Sequence, residues 1–185
     1  MTNAEILNAV GTFSSYDCDL FHHHVSIQQL NKNDVVLKEG EICKSFYFVI
    51  QGSFIQFQTR DIDEQIIDLH IAREWMFNQE SLTEQSPSHT SIKAFSPSVI
   101  LSLSLESFHS LCSQSKAFLQ FGKILNQTKY RTSLFDSSLN PADKYQFIIR
   151  TKPDWIKVFP LKIIASFLKV TPETLSRVRA AHLIS

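Results

Sequence analysis

Glu173, Arg177 and Arg179 fall within one short stretch, "TPETLSRVR", at residues 171–179. A carboxylate four residues ahead of a guanidinium shares its face if the stretch is helical. The guanidinium carries a rigid fork of N–H donors, which matches a phosphate or the two acceptors on a guanine edge. The carboxylate accepts, and a cytosine amino group is a matching donor. Thr174 and Ser176 place hydroxyls beside them. Such a face suits recognition rather than reaction. The sequence holds no nucleophile motif, no Gly-rich phosphate loop and no metal-ligand spacing, so an enzyme is not expected.

A second polar stretch, "FNQESLTEQSPSHTSIKAF" (Phe77 to Phe95), separates two strand-like runs. Its first ten residues hold one aliphatic side chain, Leu82. It reads either as a surface loop or as the wall of a ligand pocket. The pocket candidates are Phe77, Asn78, Gln79, Glu80, Ser81, Leu82, Pro87, Ser88 and His89.

The elements that must carry these residues follow from periodicity. In "AEILNAVGTF", Ile6, Leu7, Val10 and Phe13 have helical spacing, and a second short helix is expected over Asp17 to His22. The period then becomes two. Val99, Leu101, Leu103 and Leu105 alternate with Ile100, Ser102, Ser104 and Glu106; Ile67, Leu69 and Ile71 alternate with Asp68 and His70. "SFYFVIQGSFIQFQTR" reads as two strands around Gly52, and "DVVLKEGEI" as a strand followed by a turn at Gly40. Short alternating strands within about 85 residues imply an antiparallel sandwich or roll.

From Leu111 the period is helical again. A heptad frame puts Leu111, Phe118 and Leu125 at one seam position and Phe121 and Phe135 at the other, with Gln114 and Thr128 as polar interruptions. One long helix to about Phe135 is expected, packed on the roll or on a second subunit. "DSSLNPADKYQF" then interrupts the pattern and restarts it at Pro141, so a boundary is placed near Ser138. The remaining residues are too few for a large core and imply a small helical unit.

That unit matches a helix-turn-helix template. Ile164, Leu168, Val170, Leu175 and Val178 fill its apolar positions, and Ala165 fills the small one, where two helices cross closely. Thr171 is a good N-cap, Pro172 suits the first helical position, and Glu173 complements the positive end of the dipole. The exposed face then carries Thr171, Pro172, Glu173, Thr174, Ser176, Arg177, Arg179 and Ala180. Lys169 stands where the turn ordinarily has Gly. An ordinary helical hairpin with solvated charges is the alternative. The charge favours the template: Pro141 to Ser185 holds eight basic and three acidic residues, a net of +5, against −5 for the rest.

A roll, a long helix and a C-terminal helix-turn-helix, in that order, resemble the Crp/Fnr family of bacterial transcription regulators. "KIIASFLKVTPETLSRVR" carries the most specific match, and "NDVVLKEGE", "YFVIQGS" and "PSHTSIKAF" resemble its cyclic-nucleotide-binding roll. The likeness runs from about Phe21 to Arg179. It implies an α+β chain: an antiparallel double-stranded β-roll over residues 1–110, a dimerisation helix over 111–138, and a helix-turn-helix domain over 139–185. It further implies a cytoplasmic homodimer joined through the 111–135 helix on a roughly palindromic DNA site. Pro172, Glu173 and Arg177 take the three base-reading positions. Six residues follow Arg179, into which the family's β-hairpin wing does not fit.

In cyclic-AMP-binding members the polar connector is a phosphate-binding cassette that begins Phe-Gly-Glu and ends Pro-Arg-Ala. Matching Phe77 and Pro87 to it puts Asn78 at the Gly, Gln79 at the Glu and Ser88 at the phosphate-pairing Arg. Asn tolerates positive φ and Gln still accepts a hydrogen bond, but Ser88 supplies no cation. Loss of a charge-assisted contact is worth ~1.5–3 kcal/mol. Glu80, Ser81, Leu82, Pro87 and Ser88 resemble a divergent branch whose effector the likeness does not specify. Weak or absent cyclic AMP binding and an unknown small-molecule effector, if any, are therefore expected. Three scattered Cys (Cys18, Cys43, Cys112) supply neither a disulfide framework nor the four ligands of an iron–sulfur cluster. His22 to His24 are adjacent, so they do not converge on a metal. A single axial His needs no motif, which leaves haem open. No apolar run reaches the ~20 residues of a membrane span. The remaining alternative is an effector-binding or protein-interaction module with a structural, non-DNA-binding tail.

Overall fold

The computed structural model describes residues 1–61, 63–125 and 139–184. Eight strands form two four-stranded antiparallel sheets. The first holds β1 (Val25–Leu30), β8 (Ser98–Ser104), β3 (Ser45–Gln51) and β6 (Trp75–Met76), in that order. The second holds β2 (Val35–Leu37), β7 (Ser91–Ala94), β4 (Ser53–Arg60) and β5 (Asp63–Ile71). The hairpin between β3 and β4 turns on Gly52 at φ +93°, where an added Cβ would lie 2.1 Å from Ser98 Oγ. The turn after β2 uses Gly40 at φ +88°. Both glycines serve the turns that their sequence context implied.

Helices α1 (Asn3–Asn8) and α2 (Ser15–His24) each begin in a reciprocal capping box, Thr2 with Glu5 and Ser14 with Asp17. Ile6, Leu7, Val10 and Phe21 join the core of the roll with Phe46, Phe48, Phe54, Ile92, Leu101 and Leu103. A short helix, α3 (Gln79–Glu84), follows β6. Strand β8 stops at Ser104, whose Oγ accepts from Ser107 N at 3.0 Å. Leu105 therefore opens helix α4 (Leu105–Gln114) instead of continuing the strand.

The long helix expected from Leu111 is not continuous. Ser115 is extended, with φ −147° and ψ 125°. Its hydroxyl caps a new 3-10 segment, Lys116–Phe121, which runs into helix α5 (Gly122–Leu125). Hydrogen bonds from Ser115 and Ser14 hold the Asp17 carboxyl below the usual aspartate range, which ties the break to α2. The physical cause lies in Phe118 and Phe121, both fully buried in the roll. The Phe121 ring meets those of Phe13, Phe21, Phe46, Trp75, Phe108 and Phe118 at centroid distances of 5.2 to 6.4 Å. Leu111, Phe118 and Phe121 thus belong to the core of the roll. Thr128 and Phe135, like the boundary near Ser138, lie outside the described residues.

The C-terminal region contains α6 (Pro141–Thr151), α7 (Pro153–Val158), α8 (Leu161–Leu168) and α9 (Pro172–Ile184). Asn140 starts α6, accepting from Ala142 N and Asp143 N at 2.9 and 3.0 Å. These helices do not close a core of their own. Tyr145, Ile148, Trp155, Ile164, Phe167 and Leu175 pack in one cluster with Ile55 and Phe57 of β4 and Ile66 and Leu69 of β5. Ile66 N donates to Ser166 Oγ at 3.1 Å, and Lys152 is ion-paired with Glu74.

Phe121→Ala is expected to lower stability by about 3–5 kcal/mol, as for other large-to-small core changes. Urea unfolding measures it. A seam residue would instead leave a midpoint whose loss depends on protein concentration.

Candidate functional site

The polar connector and the C-terminal helix pair are each placed by local signals that the sequence shows. Phe77 leaves β6 half-buried, with its ring 5.2 Å from that of Phe46. Asn78 is the N-cap of α3 at φ −83°, so the left-handed conformation available to it is not used. Its Oδ1 accepts from Ser81 N at 3.0 Å, occupying an N–H at the start of the helix. Its Nδ2 donates to Ser88 Oγ at 2.9 Å and to Thr90 Oγ1 at 2.8 Å. Ser88 Oγ donates to Thr90 O at 2.7 Å, and Gln56 Nε2 donates to Thr90 Oγ1 at 2.7 Å.

Asn78, Ser88, Thr90 and Gln56 are all buried. The position matched to the phosphate-pairing Arg is therefore filled by a network that satisfies itself. An entering phosphate would have to replace these bonds, and the network offers it no cation.

The other connector residues divide. Ser81 is buried, accepting from Cys43 N at 2.8 Å and donating to Ser86 O at 2.5 Å. Leu82 joins the core of the roll. Gln79 is half-buried, whereas Glu80, Pro87 and His89 are exposed and do not share the buried network. Burial pushes the Cys43 thiol up, which makes it a poor nucleophile.

Beside the connector lies a cavity of about 590 Å³ that the sequence did not disclose. The roll contributes Asp68, His70, Glu74, Trp75, Phe77 and Gln79; α6 contributes Phe147 and Thr151, α7 contributes Trp155, and Lys152 lies between the two helices. "REWMF" precedes the connector directly, but nothing in its spacing points to Lys152 or Trp155, more than 70 residues away. Asp68 and His70 were read as the polar side of an alternating strand. His70 is in fact buried, 3.5 Å from Asp68.

In the C-terminal pair, Lys169 ends α8 in the left-handed region, at φ 55° and ψ 45°. Thr171 Oγ1 then accepts from Thr174 N at 3.2 Å and starts α9. Ile164, Ala165, Leu168 and Leu175 are buried, and Val170 and Val178 are half-buried against them. Thr171, Pro172, Glu173, Ser176, Arg177 and Arg179 are exposed, and Thr174 is half-buried. The helix continues through residues 180–184.

Residues 27–115 match the family model of the cyclic nucleotide-binding domain. The roll has the cyclic nucleotide-binding domain fold. The chain as a whole shares its fold with Crp/Fnr regulators. The Thermus thermophilus catabolite activator protein is 16% identical, with 95% of this chain and 85% of that one covered at a TM-score of 0.59. FixK2 from Bradyrhizobium japonicum is 14% identical, covering 85% and 83% at 0.68. A CooA variant from Carboxydothermus hydrogenoformans is 16% identical, covering 98% and 84% at 0.70. No curated protein matches the sequence. Among the described residues no helix is long and apolar enough to cross a membrane, and no group of His, Cys, Asp and Glu has the arrangement of a metal site.

Within this cyclic nucleotide-binding fold, Asn78 is the pin of the closed network. Asn78→Ala removes three hydrogen bonds and leaves buried hydroxyls short of a partner. It should lower stability by about 1–3 kcal/mol. The check is the urea midpoint, with Glu80→Ala, at an exposed position, expected to stay near wild type.

Proposed function

We propose that the chain is a homodimeric, sequence-specific DNA-binding transcription regulator with a sensory roll whose effector is not cyclic AMP. One observation carries the DNA reading. Helix α9 buries Leu175 against the rest of the molecule while its N-terminal turns present Glu173, Ser176 and Arg177 outward. Those turns are what a helix-turn-helix protein lays in the major groove. The left-handed Lys169 and the Thr171 cap support that assignment, since they set the angle between α8 and α9. Arg177 reads guanine, Glu173 accepts from cytosine, and Arg179 and the Thr171 and Thr174 hydroxyls lie near the phosphates. Pro172 has neither an N–H nor a polar side chain, so that position contributes contact only.

Pairing of two copies cannot use Phe118 or Phe121, which are buried in the roll.

A second reading has its own support. The C-terminal helices cover β4 and β5, so they have a structural role whether or not they touch DNA. An effector-binding module with a structural tail would look the same there.

A gel shift against genomic fragments decides between them. The regulator retains specific fragments with a steep salt dependence. Arg177→Ala loses about 1–3 kcal/mol of preference at one base of each half-site. Retention of no fragment even at low salt gives the decision to the second reading. Cyclic AMP titrated by calorimetry is expected to give no submicromolar binding; a submicromolar constant removes the effector part of the proposal.

A further inference from the structure

The cavity between the roll and helices α6 and α7 lies outside the matched phosphate position, since Asn78, Ser88 and Thr90 do not line it. Its volume, about 590 Å³, is within the roughly 300–1,000 Å³ range of small-molecule sites. Its walls are aromatic on both sides. Trp75 and Phe77 come from the roll, and Phe147, Trp155 and Phe167 come from the helices. Trp75, Trp155, Phe167 and Ile148 are buried, while Ala9, Arg73 and Thr151 are exposed and form the mouth.

The charges along the wall cancel. Asp68, Glu74, Arg73 and Lys152 all line the cavity, with Glu74 ion-paired to Lys152 and His70 placed 3.5 Å from Asp68. An anionic ligand would meet two carboxylates, and a cationic one would meet Arg73 and Lys152. An uncharged planar ring meets the apolar faces of Trp75, Phe77, Phe147, Trp155 and Phe167.

We infer that this cavity binds an uncharged aromatic small molecule, which bridges the roll to the C-terminal helices. The inference rests on the sensory reading of the roll, but not on DNA binding. A ligand there touches Trp75, three residues before Asn78, and also α6 and α7, which share a core with α8 and α9. Its occupancy is thus felt by the connector and by the helix pair together.

Trp75 and Trp155 are the protein's two tryptophans and both line this cavity, so energy transfer from tryptophan to a bound dye reports on it. The probe is prodan, an uncharged naphthalene dye, titrated into the full chain without DNA. Saturable one-to-one binding is expected, with dye emission excited through tryptophan. Thr151→Phe should weaken binding at least tenfold by filling the mouth. Ala9→Phe, on the N-terminal helix side, provides the same test if the first variant fails to fold by circular dichroism. Cyclic AMP at equal concentration should not displace the dye. The inference is overturned if no saturable tryptophan-excited signal appears up to about 100 μM, a limit between micromolar and millimolar affinity. It is equally overturned if folded mouth variants bind as well as wild type, or if cyclic AMP competes. Because the gel shift is read without dye, failure of DNA binding and failure of this site are separate results.

Discussion

Leu69 and Ile66 of β5 pack against the C-terminal helices, while His70 pairs across the ladder with Phe54, a residue of the roll's core. Burial on both faces of one strand is the constraint on which the rest of the structure depends. Strand β5 is also the edge of its sheet, and an edge leaves backbone N–H groups without a ladder partner. Ser166 of α8 accepts one of them, from Ile66. The helices therefore cover an apolar face and satisfy an edge in the same contact. Their own core is too small to stand alone, so each side supplies what the other lacks.

The same contact sets the geometry of the cavity. Helices α6 and α7 are held over β5 by Ile148 and Trp155, and the space left between them and the roll is walled by rings. Glu74 anchors one rim. Its Oε2 accepts from Ile71 N at 3.1 Å, and its Oε1 pairs with Lys152. It sits at the turn from β5 into β6, four residues before Asn78. Any movement of that turn is shared by the sheet, the connector and the helices.

The connector is filled by its own side chains. Asn78, Ser88, Thr90 and Gln56 complete one another's hydrogen bonds where the cyclic-AMP pattern would place a phosphate and its Arg. A buried polar network is stable only when all its members are satisfied, and this one needs no guest. The cavity lies beside it.

Much of this was legible in the residues. Period-two and helical spacing located the strands and the terminal helices, and Gly40, Gly52, Thr171 and Lys169 fixed turns and caps, because those depend on neighbours within a few positions. The spacing of Asn78 and Ser88 could not show that they would bond to each other and to Thr90, nor that Glu80, Pro87 and His89 would face solvent. Heptad spacing from Leu111 was equally compatible with a subunit seam and with the roll. Only the fold decided it, by offering Phe121 a ring of aromatic partners and breaking the helix at Ser115. The covering of β5 and the walls of the cavity were likewise decided in three dimensions. They join residues as far apart as Ile66 and Ser166, a separation of 100. Sequence determines what each short segment is, because caps, turns and periods act locally. Which segments share a core depends on which apolar surfaces meet once the chain has closed, and no local pattern records that.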